Sequence, residues 1–339
     1  SFQLFVLLSF PLILSACGGG GGGGGGAAGG ATYSVPTCSD TGTAYQTNEY
    51  YTIGSNSGGR SNQLELVCAS TAYARGATGD GITIAVVDTG GPWNAAGSLV
   101  NNEFDSDSDE ILKPSNSDYY NSDNVPNDDY STAGHGVPVG CLIRCDKGDG
   151  DMHGIAYDST VSWYKIFNGS GTITSDSNVA SALNAADSND IINNSWGTGT
   201  NGCSSASNCE SLIGSSTYAA MKTATNTNGK ILVWAAGNDG YANPGAEAHA
   251  VVHDSDLQGL SVAVVAVDAT NADSADGDSD ARISSFSNRC GDAAAYCIAA
   301  PGGDITSVGR ANGQTFYALD GTSFAAPLVS GGLALIKQE

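Results

Sequence analysis

Apolar residues in this chain gather into short runs separated by polar, glycine-rich stretches. Runs at residues 82–87, 161–166, 190–194, 231–235, 261–267 and 294–299 predict β-strands. They are continuous more than alternating, the pattern of strands covered on both faces. Between them, residues 179–186 and 212–225 read as helices, and a last helix is expected to begin near Ser323. Strands alternating with helices predict an α/β fold with a mostly parallel sheet.

The N-terminal pattern is different. Residues 2–14 form an apolar stretch of about thirteen residues broken by Pro11, shorter than the roughly twenty needed to span a bilayer. It fits the apolar region of a secretory signal. Leu14-Ser15-Ala16-Cys17 follows and resembles the lipobox of bacterial lipoproteins, in which the Cys is lipidated and becomes the mature N-terminus. An ordinary cleavage site beside a chance Cys is the plainer alternative. Nine consecutive glycines, residues 18–26, read as a flexible tether. The expected organisation is a signal segment at 1–17, a glycine-rich tether at 18–36 and a folded domain at 37–339. The chain starts at Ser1 and stops at Glu339 soon after a helix-like run, so it reads as a fragment whose C-terminal end is truncated. The expected location is outside a bacterial cytoplasm: an outer-membrane or cell-surface lipoprotein, or a secreted protein.

Composition narrows the class. Of 339 residues, 40% are apolar and 14% charged, enough to bury a core and too apolar for global disorder. Acids outnumber bases 35 to 12, for a formal charge of −23. Phosphate backbones are held by Lys and Arg, so nucleic-acid binding is excluded. Residues 101–129 hold nine acids against the single Lys113, and residues 254–280 hold seven acids with no Lys or Arg. Such loops are usually just solvated. Oxygen-rich loops also ligate calcium, so a structural calcium stays open, although neither loop has EF-hand spacing. Eight cysteines besides Cys17 fall as neighbours in sequence. In an exported chain they predict disulfides 38–68, 141–145, 203–209 and 290–297. Zinc is not expected, since no Cys-x2-Cys pair occurs and no His is read at finger spacing.

Four segments carry candidate chemistry. Ala85-Val86-Val87-Asp88-Thr89-Gly90-Gly91 puts an Asp at the end of an apolar strand, where open α/β sheets build their sites. His135 is flanked by Gly134 and Gly136 just before an apolar segment, and imidazole is the natural proton shuttle near neutral pH. Ala235-Ala236-Gly237-Asn238-Asp239-Gly240 leaves a strand with an Asn that could donate its amide to an oxyanion. Gly321-Thr322-Ser323-Phe324-Ala325-Ala326-Pro327 places Ser323 at a helix start, where free N–H groups favour developing negative charge. Each also has a bland reading: a turn Asp, a structural His, a turn Asn and an N-cap Ser.

Together, and in the order Asp88, His135, Asn238, Ser323, these blocks resemble the subtilisin-like serine proteases, the subtilases. Residues 72–90 resemble the approach to that family's catalytic Asp, and Ile191-Ile192-Asn193-Asn194-Ser195-Trp196-Gly197 resembles its substrate-lining strand. The resemblance covers residues 72 to 335. It implies a subtilisin-like three-layer α/β fold, with a mostly parallel central sheet and helices on both faces. It implies a serine endopeptidase acting through an acyl-enzyme. Ser323 would be the nucleophile, His135 the base and then acid, and Asp88 the group orienting the imidazole. Asn238 and the Ser323 N–H would bind the oxyanion. Ser195, Trp196, Gly197, Ala235, Ala236 and Gly237 would line the substrate strand and primary pocket. Their small walls suggest a large apolar side chain, with Asp239 at the rim making a basic one tolerable. Partners would be polypeptide substrates and, through Cys17, a membrane. The domain is expected to be monomeric, with no cofactor required for the chemistry.

The chain departs from the family pattern in places. Val137 and Pro138 stand where a Thr and a second His are frequent, and Phe324 replaces the usual Met. Between Cys17 and Ala72 there is no room for the usual inhibitory prodomain. These traits resemble the autotransporter branch, which carries a β-barrel beyond the protease. An α/β-hydrolase reading fails because its triad needs a His after the nucleophile, and none follows Ser323. An inactive subtilase retained as a binding module is the remaining alternative.

Overall fold

The computed structural model of the chain describes residues 32–33, 44–51, 63–104, 111–115, 117–131, 133–148, 152–173, 175–268, 281–310 and 315–339. Cys17, the signal segment and the glycine tether lie outside the described residues. The central sheet has seven strands: β1 (Thr83–Asp88), β2 (Ile111–Leu112), β3 (Thr160–Lys165), β4 (Ile191–Asn194), β5 (Ile231–Ala235), β6 (Ser261–Asp268) and β7 (Cys297–Gly303). Their order is β2-β3-β1-β4-β5-β6-β7, with every neighbouring pair parallel. The longer helices are α1 (Gly136–Arg144), α2 (Asp176–Ala186), α3 (Ala206–Ile213), α4 (Ser215–Lys222) and α5 (Thr322–Gln338). β8 (Ile305–Val308) and β9 (Phe316–Leu319) form an antiparallel hairpin ahead of α5.

Alternation along each strand feeds two cores. Ile84 and Val86 pack on one face with Trp163, Ile191 and Val233, beneath Leu142 of α1 and Leu328 of α5. Ala85 and Val87 pack on the other with Ile192, Leu232 and Trp234, beneath Leu183 of α2 and Met221 of α4. Both faces are covered, as the unbroken apolar runs predict. The sheet is the three-layer α/β arrangement expected. Chain order reverses at β1, which lies between β3 and β4. Asp88 ends that strand at the carboxyl edge, where such reversals open a crevice.

Several elements differ from the sequence expectation, each for a local reason. The strand expected at 294–299, β7, begins only at Cys297, because residues 291–296 form a 3-10 helix. It also runs through Pro301, which the edge position permits. The single helix expected at 212–225 is two, divided by Gly214 at φ 107°. The Asp176 carboxylate accepts from Ser216 N and Thr217 N, at 2.9 and 2.8 Å, and so caps α4. α2 starts at Asp176, three residues early, where Ser175 accepts from Asn178 N at 3.2 Å. α1 has no counterpart in the sequence pattern, because two glycines and Pro138 are poor helix formers.

Bridges 141–145, 203–209 and 290–297 are formed as expected. Cys68 is also disulfide-bonded, and its expected partner Cys38 lies outside the described residues. Among the described residues no helix is long and apolar enough to cross a membrane. Residues 269–280, which hold four of the seven acids of the second acidic segment, are likewise outside them.

Leu232 is fully buried in the second core. Leu232→Ala is therefore expected to destabilise the domain by about 2–5 kcal/mol, measured as a lower urea midpoint with an unchanged slope.

Candidate active site

Three elements converge at the carboxyl edge of β1. Asp88 ends that strand with its side chain 1% exposed, and Oδ1 lies 2.7 Å from His135 Nδ1. The Thr89 N–H donates to the same oxygen at 2.7 Å. The carboxylate thus holds the proton on Nδ1 and leaves Nε2 as the basic nitrogen. The ring itself is half-buried, between Phe324 at 5.7 Å and the edge of Tyr130 at 6.3 Å, centroid to centroid.

His135 sits at the N-cap of α1 but gives that helix no side-chain cap. Asp128 supplies it from a distance. Its Oδ2 accepts from His135 N and Val137 N, at 2.8 and 3.0 Å. Its Oδ1 accepts from Thr89 Oγ1 at 2.9 Å and from Tyr130 N at 3.2 Å. Thr89 Oγ1 in turn accepts from Gly136 N at 2.9 Å. Gly134 follows from this packing: its φ is 77°, and a Cβ there would collide with the Asp128 carboxylate. Asp128 is the main residue that sequence reasoning missed. It is one of nine acids in its loop, and nothing local distinguishes it.

Ser323 lies in the first turn of α5 and is 9% exposed. Its backbone N–H is among those without an intrahelical acceptor. Pro327 stands four residues on and has no N–H for the Ser323 carbonyl. Ser195 Oγ donates to that carbonyl instead, at 2.8 Å. The Ser323 hydroxyl returns a bond of 2.9 Å to the Ser195 carbonyl. Among the described residues Ser323 makes no hydrogen bond to His135, so of the two contacts of a triad the Asp88–His135 one is formed and the His135–Ser323 one is not in line. Catalytic bonds commonly tighten only once substrate is present.

The Asn238 side chain is oriented by its neighbour. Its Oδ1 accepts from both Thr322 N and Thr322 Oγ1 at 2.9 Å, which assigns Nδ2 to the free side. A cavity of about 330 Å³ is lined by His135, Ser323 and Asn238 together with Ser195, Trp196, Gly197, Ala235, Ala236 and Gly237. Every sequence-predicted catalytic, oxyanion and pocket residue thus meets at one cleft, with Asp88 behind His135.

The remaining histidines lie elsewhere. His153 is buried among Tyr50, Tyr73 and Tyr157, and burial pushes its pKa down. His249 and His253 do stand at His-x3-His spacing, contrary to the sequence reading, and they meet Cys203. Cys203 is bonded to Cys209 and offers no thiolate. His249 Nε2 lies 2.5 Å from Asp292 and His253 Nε2 2.7 Å from the Cys203 carbonyl. The polar needs of the cluster are met by protein groups.

Residues 79–339 match the model of the Subtilase family. An extracellular serine protease of Serratia marcescens is 27% identical over 332 residues, covering 81% of this chain and 29% of that protein. Kexin of Saccharomyces cerevisiae is 24% identical over 262 residues, covering 77% of this chain and 29% of that protein. The chain therefore spans under a third of the length of either. Among solved structures, a cold adapted subtilisin-like serine proteinase aligns with a TM-score of 0.53 at 24% identity, covering 77% of each chain. Sphericase aligns at 0.55 and 25%, covering 76% of this chain and 77% of its own.

The imidazole environment makes a testable statement. Burial lowers the His135 pKa, but the charge and hydrogen bond of Asp88 and the charge of Asp128 outweigh it, for a net rise above 6.5. A raised folded value stabilises the fold below pH 6.5, and that stabilisation is lost as pH climbs through the folded pKa. In a ring-proton NMR titration His135 should have its midpoint above 6.5, and Asp128→Asn should lower it. An unchanged midpoint would mean that the ring does not feel the Asp128 charge.

Proposed function

The chain belongs to the subtilase family, and on that premise we propose that it is a serine endopeptidase acting through Asp88, His135 and Ser323. The 2.7 Å contact of His135 Nδ1 with Asp88, facing a cleft shared with Ser323, is the observation that carries the reading. In the reaction the Ser323 hydroxyl exchanges the Ser195 carbonyl for His135 Nε2 as its acceptor. Oγ attacks the scissile carbonyl carbon as Nε2 takes the proton. The carbonyl π pair moves onto oxygen, which the Ser323 N–H and Asn238 Nδ2 receive. When the tetrahedral species collapses the C–N bond breaks, and Nε2 returns the proton to the departing amine. Water then repeats both steps on the acyl-enzyme and frees the acid.

Export is part of this proposal. The apolar segment, the Leu14-Ser15-Ala16-Cys17 block and the three described disulfides support it, as does the description of the Serratia relative as extracellular. Lipidation of Cys17 would hold the domain near a membrane on its glycine tether. Mass spectrometry of the N-terminal peptide from the exporting host checks this, with a diacylglyceryl Cys17 expected and an unmodified terminus counting against it.

Ser323→Ala or His135→Ala should each lower peptide hydrolysis by about 10⁶-fold while the fold is kept. Labelling by a fluorophosphonate probe should disappear in Ser323→Ala. Asn238→Ala should cost about 10²–10³ in kcat with KM little changed. Near-normal hydrolysis by the purified Ser323→Ala variant would end the reading, whereas a folded wild type with neither hydrolysis nor labelling would favour an inactive binding module.

A further inference from the structure

One buried carboxylate beside the cleft is unused by this chemistry. Glu247 lies in the short helix Ala246–His249 and is 2% exposed. Thr198 N donates to both of its oxygens at 3.0 Å, and Thr198 Oγ1 to Oε2 at 3.0 Å. No Lys or Arg pairs with it among the described residues. Burial pushes its pKa up, and the Thr198 hydrogen bonds only partly offset this.

Its position relative to the cleft is set by two glycines. Gly197 and Gly245 both line the cavity. A Cβ on Gly197 would lie 3.1 Å from Glu247 Oε2, and one on Gly245 3.8 Å from it. The wall between cleft and carboxylate is thus the backbone of these two glycines together with Thr198, which also lines the cavity. At the mouth, a Cβ on Gly199 would lie 3.7 Å from the Asp239 carboxylate. No Lys or Arg is among the residues lining the cavity.

We propose that Glu247, supported by Asp239, is a specificity-determining residue that makes this pocket select a substrate side chain ending in a cation, Lys or Arg. The inference rests on the endopeptidase reading and names its substrate class. The small walls at Ala235, Ala236 and Gly237 take the methylene stem, as the sequence suggests for an apolar group. The difference lies at the end walled by Gly197 and Gly245, with Glu247 behind them. An apolar side chain would remove water from that end and leave the carboxylate without a counter-charge, which disfavours it. A cation supplies that counter-charge at the depth where solvent screening is weakest.

The test uses peptides that differ only in the residue before the scissile bond: Lys, Arg, Leu or Phe. Active enzyme is counted by fluorophosphonate titration. Wild type should favour Lys and Arg in kcat/KM by about 10–100-fold, the range of one charge-assisted hydrogen bond. Glu247→Gln keeps the shape and should collapse that ratio, whereas Asp239→Ser should reduce it less and lose its effect in high salt. Wild-type preference for Leu or Phe, or an unchanged ratio in a folded Glu247→Gln, overturns the proposal. If that variant does not fold, wild type decides alone: benzamidine should bind at least about tenfold more tightly than neutral benzamide by calorimetry, and equal binding overturns the proposal. Absent fluorophosphonate labelling would count against the catalytic reading instead, and the benzamidine comparison would still decide the pocket.

Discussion

A buried carboxylate must be satisfied by donors, and Asp128 meets that constraint with the groups that build the site. Burial and the nearby Asp88 charge push its pKa above 3.8, while bonds from Val137 N, His135 N and Thr89 hold it down. Those donors belong to the end of β1 and the start of α1. Satisfying one side chain therefore fixes the distance between the strand carrying Asp88 and the helix that begins at His135. The loop holding Asp128 is fixed in turn by Lys165, whose Nζ donates to the Asn127 carbonyl at 2.8 Å and meets Asp129 at 2.9 Å. The Arg310 guanidinium donates to the Asp128 carbonyl at 3.0 Å.

The other half of the site obeys a backbone rule. Pro327 removes one helical hydrogen bond, and the carbonyl left over belongs to Ser323 itself. Ser195 fills the gap and is held by Asn193 Nδ2 at 2.9 Å, while Asn193 Oδ1 accepts from Ser330 Oγ at 2.8 Å. A chain of polar contacts thus runs from the middle of α5, through the end of β4, to the residue that carries the hydroxyl. Close approach of β7 to the same helix start depends on Gly302, where a Cβ would meet Ala266, the Gly321 carbonyl and Ala325 within about 3 Å. Gly321 N donates across that approach to the Gly302 carbonyl at 2.8 Å.

What was legible in the sequence follows from which forces act locally. Strands β1, β3, β4, β5 and β6 are apolar on both faces and could be placed to within a residue or so. Asp88, His135, Asn238 and Ser323 sit in glycine-bearing turns next to those elements, so their spacing is visible in one dimension. Asp128 was not legible, because its donors are two to thirty-nine residues away and its own loop is uniformly acidic. α1 was hidden because its helix is specified by packing under Trp163 and by capping from Asp128, not by propensity. Glu247 was missed for the same reason as Asp128: only folding brings it behind Gly197, fifty residues earlier in the chain.

Charge links these local devices to the whole molecule. With 12 bases against 35 acids, the fold uses several of its cations as internal clamps on carbonyl groups. Arg144 is buried and donates to the Ser159 carbonyl, Lys165 to Asn127, Arg289 to Ser284 and Arg310 to Asp128. Cations held this way brace loops and do little to neutralise the outer surface. The surface field is then set by acids, and the cleft lies within it. Such a field raises the local concentration of cationic segments and slows the approach of acidic ones, and it weakens with salt over a Debye length of about 8–10 Å. A carboxylate behind a backbone wall is screened far less. On the proposed endopeptidase reading, long-range attraction would govern which peptides arrive, and the buried charge which bond is presented to Ser323.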